Sequence, residues 1–308
     1  MTRPMKVARQ GGRRGMIFFF EQLFIGLSLG GIYAILALSL VVIYKSTGHV
    51  NLAQGEMAVF STFLAWTLVH AGVPVWAAIP MTMVASFFGA IALERLVVRP
   101  FNGANDLVVV AVFVGLFLGI HSIVGAIWKY DVKPFPSAFP NGAVDLMGGL
   151  TIRIHTLGSL LTTFLVLAAT WFFFKYTRTG LALRAVADNH QSSRLSGVNV
   201  SLMLALGWGL AAAIGAVAGV MIAPVTFLDP SIGLAPLIFA LAGALLGGIT
   251  SPFGAAFGGL IVGVLEAMIS AYVPYGVEFR ELLALGLILS VLLVKPAGLF
   301  GVVVTRRV

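Results

Sequence analysis

Charge is what this sequence is shortest of. Asp, Glu, Lys and Arg make up only 10% of the 308 residues, where a water-soluble domain carries roughly 25%. So little charge cannot cover a surface facing water on all sides, which excludes an ordinary soluble globule. Cysteine is absent altogether, so neither a disulfide framework nor a thiolate metal site can form. No GxxxxGK[ST] sequence occurs, which excludes ATP binding through a P-loop in this chain. The five histidines (His49, His70, His121, His155 and His190) lie far apart, with no HExxH pair. No pair of carboxylates has the spacing a membrane hydrolase needs. His121 and His155, near the ends of apolar segments, read as hydrogen-bonding residues rather than ligands. Enzyme, metalloprotein and cofactor-dependent readings therefore have nothing to stand on.

What the chain has instead is apolar length. Hydrophobic residues account for 59% of it, and the mean hydropathy is +1.04. Gln22 to Tyr44, Met57 to Leu93, Leu107 to Trp128, Ile154 to Phe174, Leu195 to Leu228 and Pro230 to Leu265 contain no charged residue. A spanning helix needs about 20 mostly apolar residues, so each run holds one crossing or two. Backbone amides in hydrocarbon must be satisfied internally, and the alternation that a barrel requires is missing, so the runs are read as helices. Segments fall near 18–44, 52–70, 75–96, 106–127, 155–176, 202–223, 234–250, 254–274 and 279–296. Prolines and glycines punctuate them, as at Gly72-Val73-Pro74, Asp229-Pro230 and Ser251-Pro252. The expected fold is an all-α polytopic integral membrane protein. It has about eight transmembrane helices plus one partial or re-entrant helix at 52–70.

The formal charge of +8 invites a nucleic-acid partner, but position argues otherwise. Arg3, Lys6, Arg9, Arg13 and Arg14 occupy a short polar arm over residues 1–16. The others cluster at helix ends, as membrane orientation signals do. Nucleic acid is not an expected partner; lipid is. Residues 17–304 are read as a single transmembrane domain, and the native start is either Met1 or Met16. The loop from Lys175 to Arg194 carries four basic residues against Asp188 alone, so it should be cytoplasmic. Arg95, Arg99 and the tail with Lys295, Arg306 and Arg307 fall on the same side. If 18–44, 52–70 and 75–96 all span, the basic arm lies on the opposite side, against the orientation rule; if 52–70 only partly crosses, the reading favoured here, the arm lies on the same side. No cleavable signal peptide is convincing, and the first apolar run reads as a retained anchor.

Three stretches stand out from the apolar background. Val50-Asn51-Leu52-Ala53-Gln54-Gly55-Glu56 places polar groups between long apolar runs. Asn51 there can cap a helix whose first turn holds Gln54 and Glu56. It reads either as a surface cap or as a partial helix that presents polar groups to a pathway. The second stretch, 177–199, contains a short helix over 181–196 with an Ala/Leu face, closed by Gly197. That face suits docking on a soluble partner or lying on the lipid surface. The third is Gly247-Gly248-Ile249-Thr250-Ser251-Pro252-Phe253-Gly254, followed by Gly258, Gly259 and Gly263. It breaks a helix, and at membrane depth such a break survives only inside protein or beside water. It reads as part of a pathway or as a tight inter-helix turn. Glu266 beyond it either faces a cavity or sits at the outer rim beside Tyr272.

Taken in order, these stretches resemble the permease subunits of branched-chain amino-acid ABC importers, the LivH type. Gly30-Gly31-Ile32-Tyr33-Ala34-Ile35-Leu36-Ala37 with Val50 to Glu56 is similar to the family's "G-x-x-Y-A-L-x-A … I-N-F-A-H-G-E". Arg178-Thr179-Gly180, Arg184-Ala185 and Leu195 to Asn199 resemble "R-x-G-x-x-x-R-A … L-x-G-I-N". Gly247 to Gly259 resembles "G-G-I-G-S-x-x-G-A-x-x-G-G", with Glu266 at the acidic position beyond. Gln54 departs from the family's usual histidine, and Thr250 from its frequent glycine. The resemblance implies a permease in the inner membrane, paired with a second homologous permease, two ATP-binding subunits and an external solute-binding protein. It implies pathway residues among Asn51, Gln54, Glu56, Gly247, Gly248, Gly254, Gly258, Gly259 and Glu266. It makes 177–199 the segment seated on an ATPase, with Arg178, Gly180, Arg184, Ala185, Asp188 and Gly197 as coupling residues. Branched-chain amino acids are the first solute class; urea, amides and other small solutes within the family are alternatives, as is an ATP-independent transporter.

Overall fold

The computed structural model describes residues 4–146 and 149–301. The chain is helical almost throughout: α1 (Pro4–Thr47), α2 (Gln54–His70), α3 (Val75–Leu93), α4 (Asp106–Trp128), α5 (Ile154–Tyr176), α6 (Arg178–Asp188), α7 (His190–Leu195), α8 (Val200–Thr226), α9 (Leu234–Gly247), α10 (Pro252–Tyr272) and α11 (Arg280–Val294). A π-helical turn over Glu94–Val98 and a 3₁₀ turn over Arg99–Phe101 prolong α3. One antiparallel hairpin, β1 (Ala143–Leu146) with β2 (Leu150–Arg153), decorates the loop before α5. The hairpin was not legible in the composition of that loop. Each expected apolar segment becomes a helix. Among the described residues, six are long and apolar enough to cross a membrane: Arg14–Thr47, Val75–Phe101, Asp106–Trp128, Ile154–Tyr176, Val200–Thr226 and Pro252–Tyr272. Helices α2, α9 and α11 are shorter, at 17, 14 and 15 residues.

The two ends of the bundle are defined by contacts. At one end, His49 just past α1 bonds Asp106 at the start of α4 (3.1 Å), and Arg99 donates to the Ser201 carbonyl at the start of α8 (3.2 Å). Helices α6 and α7 lie there, so we refer to it as the α6 end. At the other, Phe18 meets Tyr272 edge-on, Trp66 donates to the Pro134 carbonyl, and Lys133 pairs with Leu228 through the backbone. Ile17 approaches Gly149 of the hairpin.

Helix α1 therefore runs from the hairpin end to the α6 end. This corrects the expectation that the basic arm shares a side with 177–199. The reason is the form of the partial helix. After Thr47 the chain re-enters the bundle without helical structure over 48–53, and α2 then continues on to the hairpin end. A short helix plus a non-helical lead completes one crossing instead of returning to its origin. The same device recurs once. After α8 the chain turns back through Phe227, a non-glycine residue at φ 61°, and α9 begins only at Leu234. The paired interruptions thus lie at 48–53 and 227–233.

Packing explains the glycines. Helix α10 runs antiparallel to α1. A Cβ on Gly259 would lie 2.6 Å from the Ala34 amide nitrogen, and one on Gly30 would lie 2.7 Å from the Leu260 carbonyl. Gly26, Gly30, Gly259 and Gly263 thus form one seam in which backbones touch, the geometry that drives helix association where lipid removes the hydrophobic incentive. Gly115 and Gly119, with the same spacing, meet nothing within 4 Å. Spacing alone could not separate the two cases. We predict that Gly259→Leu will prevent a monodisperse folded protein in detergent, because only backbone is there to give way. Gly286→Ala in α11, with nothing within 4 Å, should leave thermal stability unchanged or raise it by about 0.5–1 kcal/mol; size-exclusion fluorescence with a melting curve checks both.

Candidate functional site

The starts of α2 and α9 meet deep in the bundle. The Gln54 amide donates to the Ala211 carbonyl at 3.1 Å. Ala211 is eleven residues past the start of α8, or about 16 Å along the helix axis. Gly55 faces the Gly233 carbonyl and Leu237 at the beginning of α9; a Cβ there would lie 2.9 Å from that oxygen. First-turn amides have no partners within their own helix. Two such termini, each with its partial positive charge, therefore converge at mid-depth.

The polar residues of the 50–56 stretch gather at this point, and Asn51, Gln54 and Glu56 are all buried. The Asn51 side-chain oxygen accepts from the Ala53 amide at 3.0 Å, an Asx turn that bends the chain before α2 begins. It does not cap the helix as expected: the cap position is Ala53, with no side-chain bond. Glu56 lies in the first turn of α2, where the helix end favours an acid. Its carboxylate is 3.3 Å from His121 Nδ1 of α4. The sequence identified His121 as a hydrogen-bonding residue but could not pair it across 65 positions. Buried Gln54 Oε1 has no hydrogen-bond partner, an uncommon state for a buried amide oxygen.

Glu266 lies elsewhere. It is buried on α10 and accepts a 2.7 Å hydrogen bond from the Tyr33 hydroxyl of α1. Tyr33 in turn stacks on Phe239 of α9, with ring centroids 5.2 Å apart. Glu266 thus faces neither the rim nor Tyr272 but locks the α1–α10 seam. The glycines of the third stretch are placed by close packing. Gly247 lies against Gly254, and Gly258 against Gly243 and Gly247. Gly248, at φ 110°, makes the turn between α9 and α10. The turn is strapped by the tail, whose Leu299 and Phe300 amides donate to the Leu246 and Gly247 carbonyls at 2.8 and 2.9 Å.

The 177–199 stretch folds as two helices rather than one. Thr177 caps α6 by accepting from the Gly180 amide at 2.9 Å, and Asn189 caps α7 by accepting from Ser192 at 3.0 Å. Asn189 breaks the run because its short amide offers the backbone a cap in place of a helical bond. Gly180, Leu183 and Val186 turn inward; a Cβ on Gly180 would meet the backbone of Phe173 and Phe174. Arg178, Arg184, Ala185 and Asp188 face outward, as does Leu181 at 60% exposure. Gly197 closes α7 at φ 80°.

A family profile described as the permease component of branched-chain amino acid transport systems matches residues 22–292. The chain belongs to that family. It is 31% identical over 303 residues to the high-affinity branched-chain amino acid transport system permease LivH of Escherichia coli K12, covering 92% of this chain and 96% of the relative. BraD of Pseudomonas aeruginosa, named for the same transport, is 31% identical at the same coverage. The ribose import permease RbsC of Escherichia coli is 23% identical over 271 residues, covering 85% and 79%. This protein is thus a multi-pass membrane permease, a transport subunit of an ABC system rather than an enzyme. Within it, Tyr33→Phe should leave the Glu266 carboxyl without its donor and cost about 1–3 kcal/mol. Adding Glu266→Leu to that variant should recover part of the loss, and a double-mutant cycle of melting curves in detergent measures the coupling.

Proposed function

We propose that this permease forms half of a translocation pathway for branched-chain or closely related amino acids, with the pathway passing the mid-depth junction of α2 and α9. The observation that carries this reading is that junction. Irregular backbone is tolerated at membrane depth where it lines a cavity or is enclosed by protein, and discontinuous helices there supply the dipoles and carbonyls that substrates use. Asn51, Gln54 and Glu56, with His121, are the polar groups of the pathway. The glycines Gly247, Gly248, Gly254, Gly258 and Gly259 and the Glu266 lock are the packed frame against which the halves move. Stronger likeness to LivH and BraD than to the ribose permease supports the amino-acid class.

The working complex contains a second, homologous permease, two ATP-binding subunits and an external solute-binding protein. Helices α6 and α7 form the coupling surface, with Arg178, Arg184, Ala185 and Asp188 on the outer face and Gly180 and Gly197 setting its shape. An exposed Leu181 beside small Ala185 supports seating in a groove of a soluble partner. The α6 end, the C-terminal tail included, is cytoplasmic. ATP-driven closure of the partner subunits moves this surface and rocks the permease halves between inward- and outward-facing states.

Arg184→Glu or Ala185→Trp should reduce ATP-dependent uptake in proteoliposomes on the order of tenfold, within a coupling term of roughly 1–3 kcal/mol, while the complex still hydrolyses ATP. Uptake that stays in step with hydrolysis in both variants refutes the coupling role. Because the chain has no cysteine, Ser192→Cys and Asp145→Cys each give a single label site. An impermeant maleimide on intact cells should modify Asp145→Cys and spare Ser192→Cys; the reverse pattern inverts the orientation.

A further inference from the structure

At the α6 end, beside the proposed coupling surface, the bundle holds a cavity of about 310 Å³. It lies between the end of α1, the α3–α4 connection, α7 and the first two turns of α8. Its rim is polar: Ser46, His49, Asn102, His190 and Arg194 line it. Its floor is apolar, made by Val98, Val109, Val112, Phe113 and Leu204. Val109 to Phe113 are the first turns of α4, so the floor descends from the bundle end toward membrane depth. On the same turns Leu107, Val108 and Val110 are exposed. Apolar surface therefore runs continuously from the lipid-facing side of α4 to the cavity's edge.

Charge at the rim is unbalanced. Of the acids nearby, Glu94 is held bidentately by Arg99, with bonds of 3.2 and 2.7 Å. Asp106 is engaged by His49 Nε2 at 3.1 Å. Neither the Arg194 side chain nor the His190 ring has a hydrogen-bond or ion-pair partner among the described residues. Both sit on α7, four residues apart and so on one face of that helix, and line the cavity together with Asn102. The rim thus offers a free guanidinium, a further imidazole and the Asn102 amide, above a floor with no polar side chain. A soluble anion would use the rim and waste the floor; an acyl chain would use the floor and waste the rim. A ligand with a phosphate head and a hydrocarbon stem uses both.

We infer that this cavity is a binding site for one anionic phospholipid, its phosphate on Arg194 and His190 and the start of an acyl chain along Val109, Val112 and Phe113. Basic pockets between transmembrane helices at a membrane surface are suited to such headgroups. Because α7 supplies the basic groups and α4 the acyl floor, the lipid ties the outward-facing α6–α7 segment to the helix bundle. This holds whichever solute the permease carries.

Delipidated full-length protein, titrated with phosphatidylglycerol or phosphatidylcholine and followed by native mass spectrometry, tests the site. Phosphatidylglycerol should bind about fivefold more tightly than phosphatidylcholine, the equivalent of about 1 kcal/mol for one basic side chain. Arg194→Glu should abolish the preference and Arg194→Lys keep it. Val112→Trp, which fills the floor, should weaken both lipids alike. Melting curves of each variant establish that the fold is intact; a variant that melts early is replaced by His190→Glu for the rim or Val109→Phe for the floor. Equal binding of the two lipids by the wild type, or a preference that survives Arg194→Glu, overturns the proposal. So does glycerol 3-phosphate binding as tightly as phosphatidylglycerol, since the site would then hold soluble phosphate.

Discussion

Everything in this bundle answers to the need of each backbone amide and carbonyl for a partner in a medium that supplies none. A continuous helix meets the need by itself, and most of the chain takes that course. Where the chain departs from it, at 48–53 and again at 227–233, Asn51, Ala53, Leu228, Pro230 and Gly233 are buried in the bundle. The Asx turn at Asn51, the Gln54 bond to Ala211 and the Lys133–Leu228 backbone pair are what make those departures tolerable. The same places leave helix starts pointing inward. A structural necessity and the proposed pathway therefore share one location.

Close packing is the second consequence. Lipid is as apolar as leucine, so helices gain little from burying leucine against leucine and more from contact between backbones. The α1–α10 seam through Gly30 and Gly259 and the α9–α10 turn through Gly247 and Gly254 are built that way. Tyr33 and Glu266 add one directional bond to the first seam. These rigid pairs give a permease something to rock as a unit, since packed interfaces shift between discrete arrangements more readily than they deform.

The α6–α7 segment is built differently, from short capped helices. Caps at Thr177 and Asn189 define its two helices, and an inward face of Gly180, Leu183 and Val186 ties it to α5 and α8. What remains outward is a mix of charge and small apolar residues, suited to contact rather than to solubility alone. Beside it lies the cavity that Arg194 and His190 line.

Much of this was decided by sequence alone. Charge-free runs announced the helices, proline and glycine announced where they stop, and the order of three motifs announced the family. These signals are local, and hydrocarbon makes them stringent. Pairing was not legible in that way. That Glu56 meets His121, that Tyr33 meets Glu266, and that of two GxxxG pairs one packs and the other faces outward depend on how helices are arranged side by side. The side of the basic arm is open in the sequence for the same reason. A half-length helix reads identically whether the chain around it turns back or carries through, and only the path of residues 48–53 between α1 and α8 decides which.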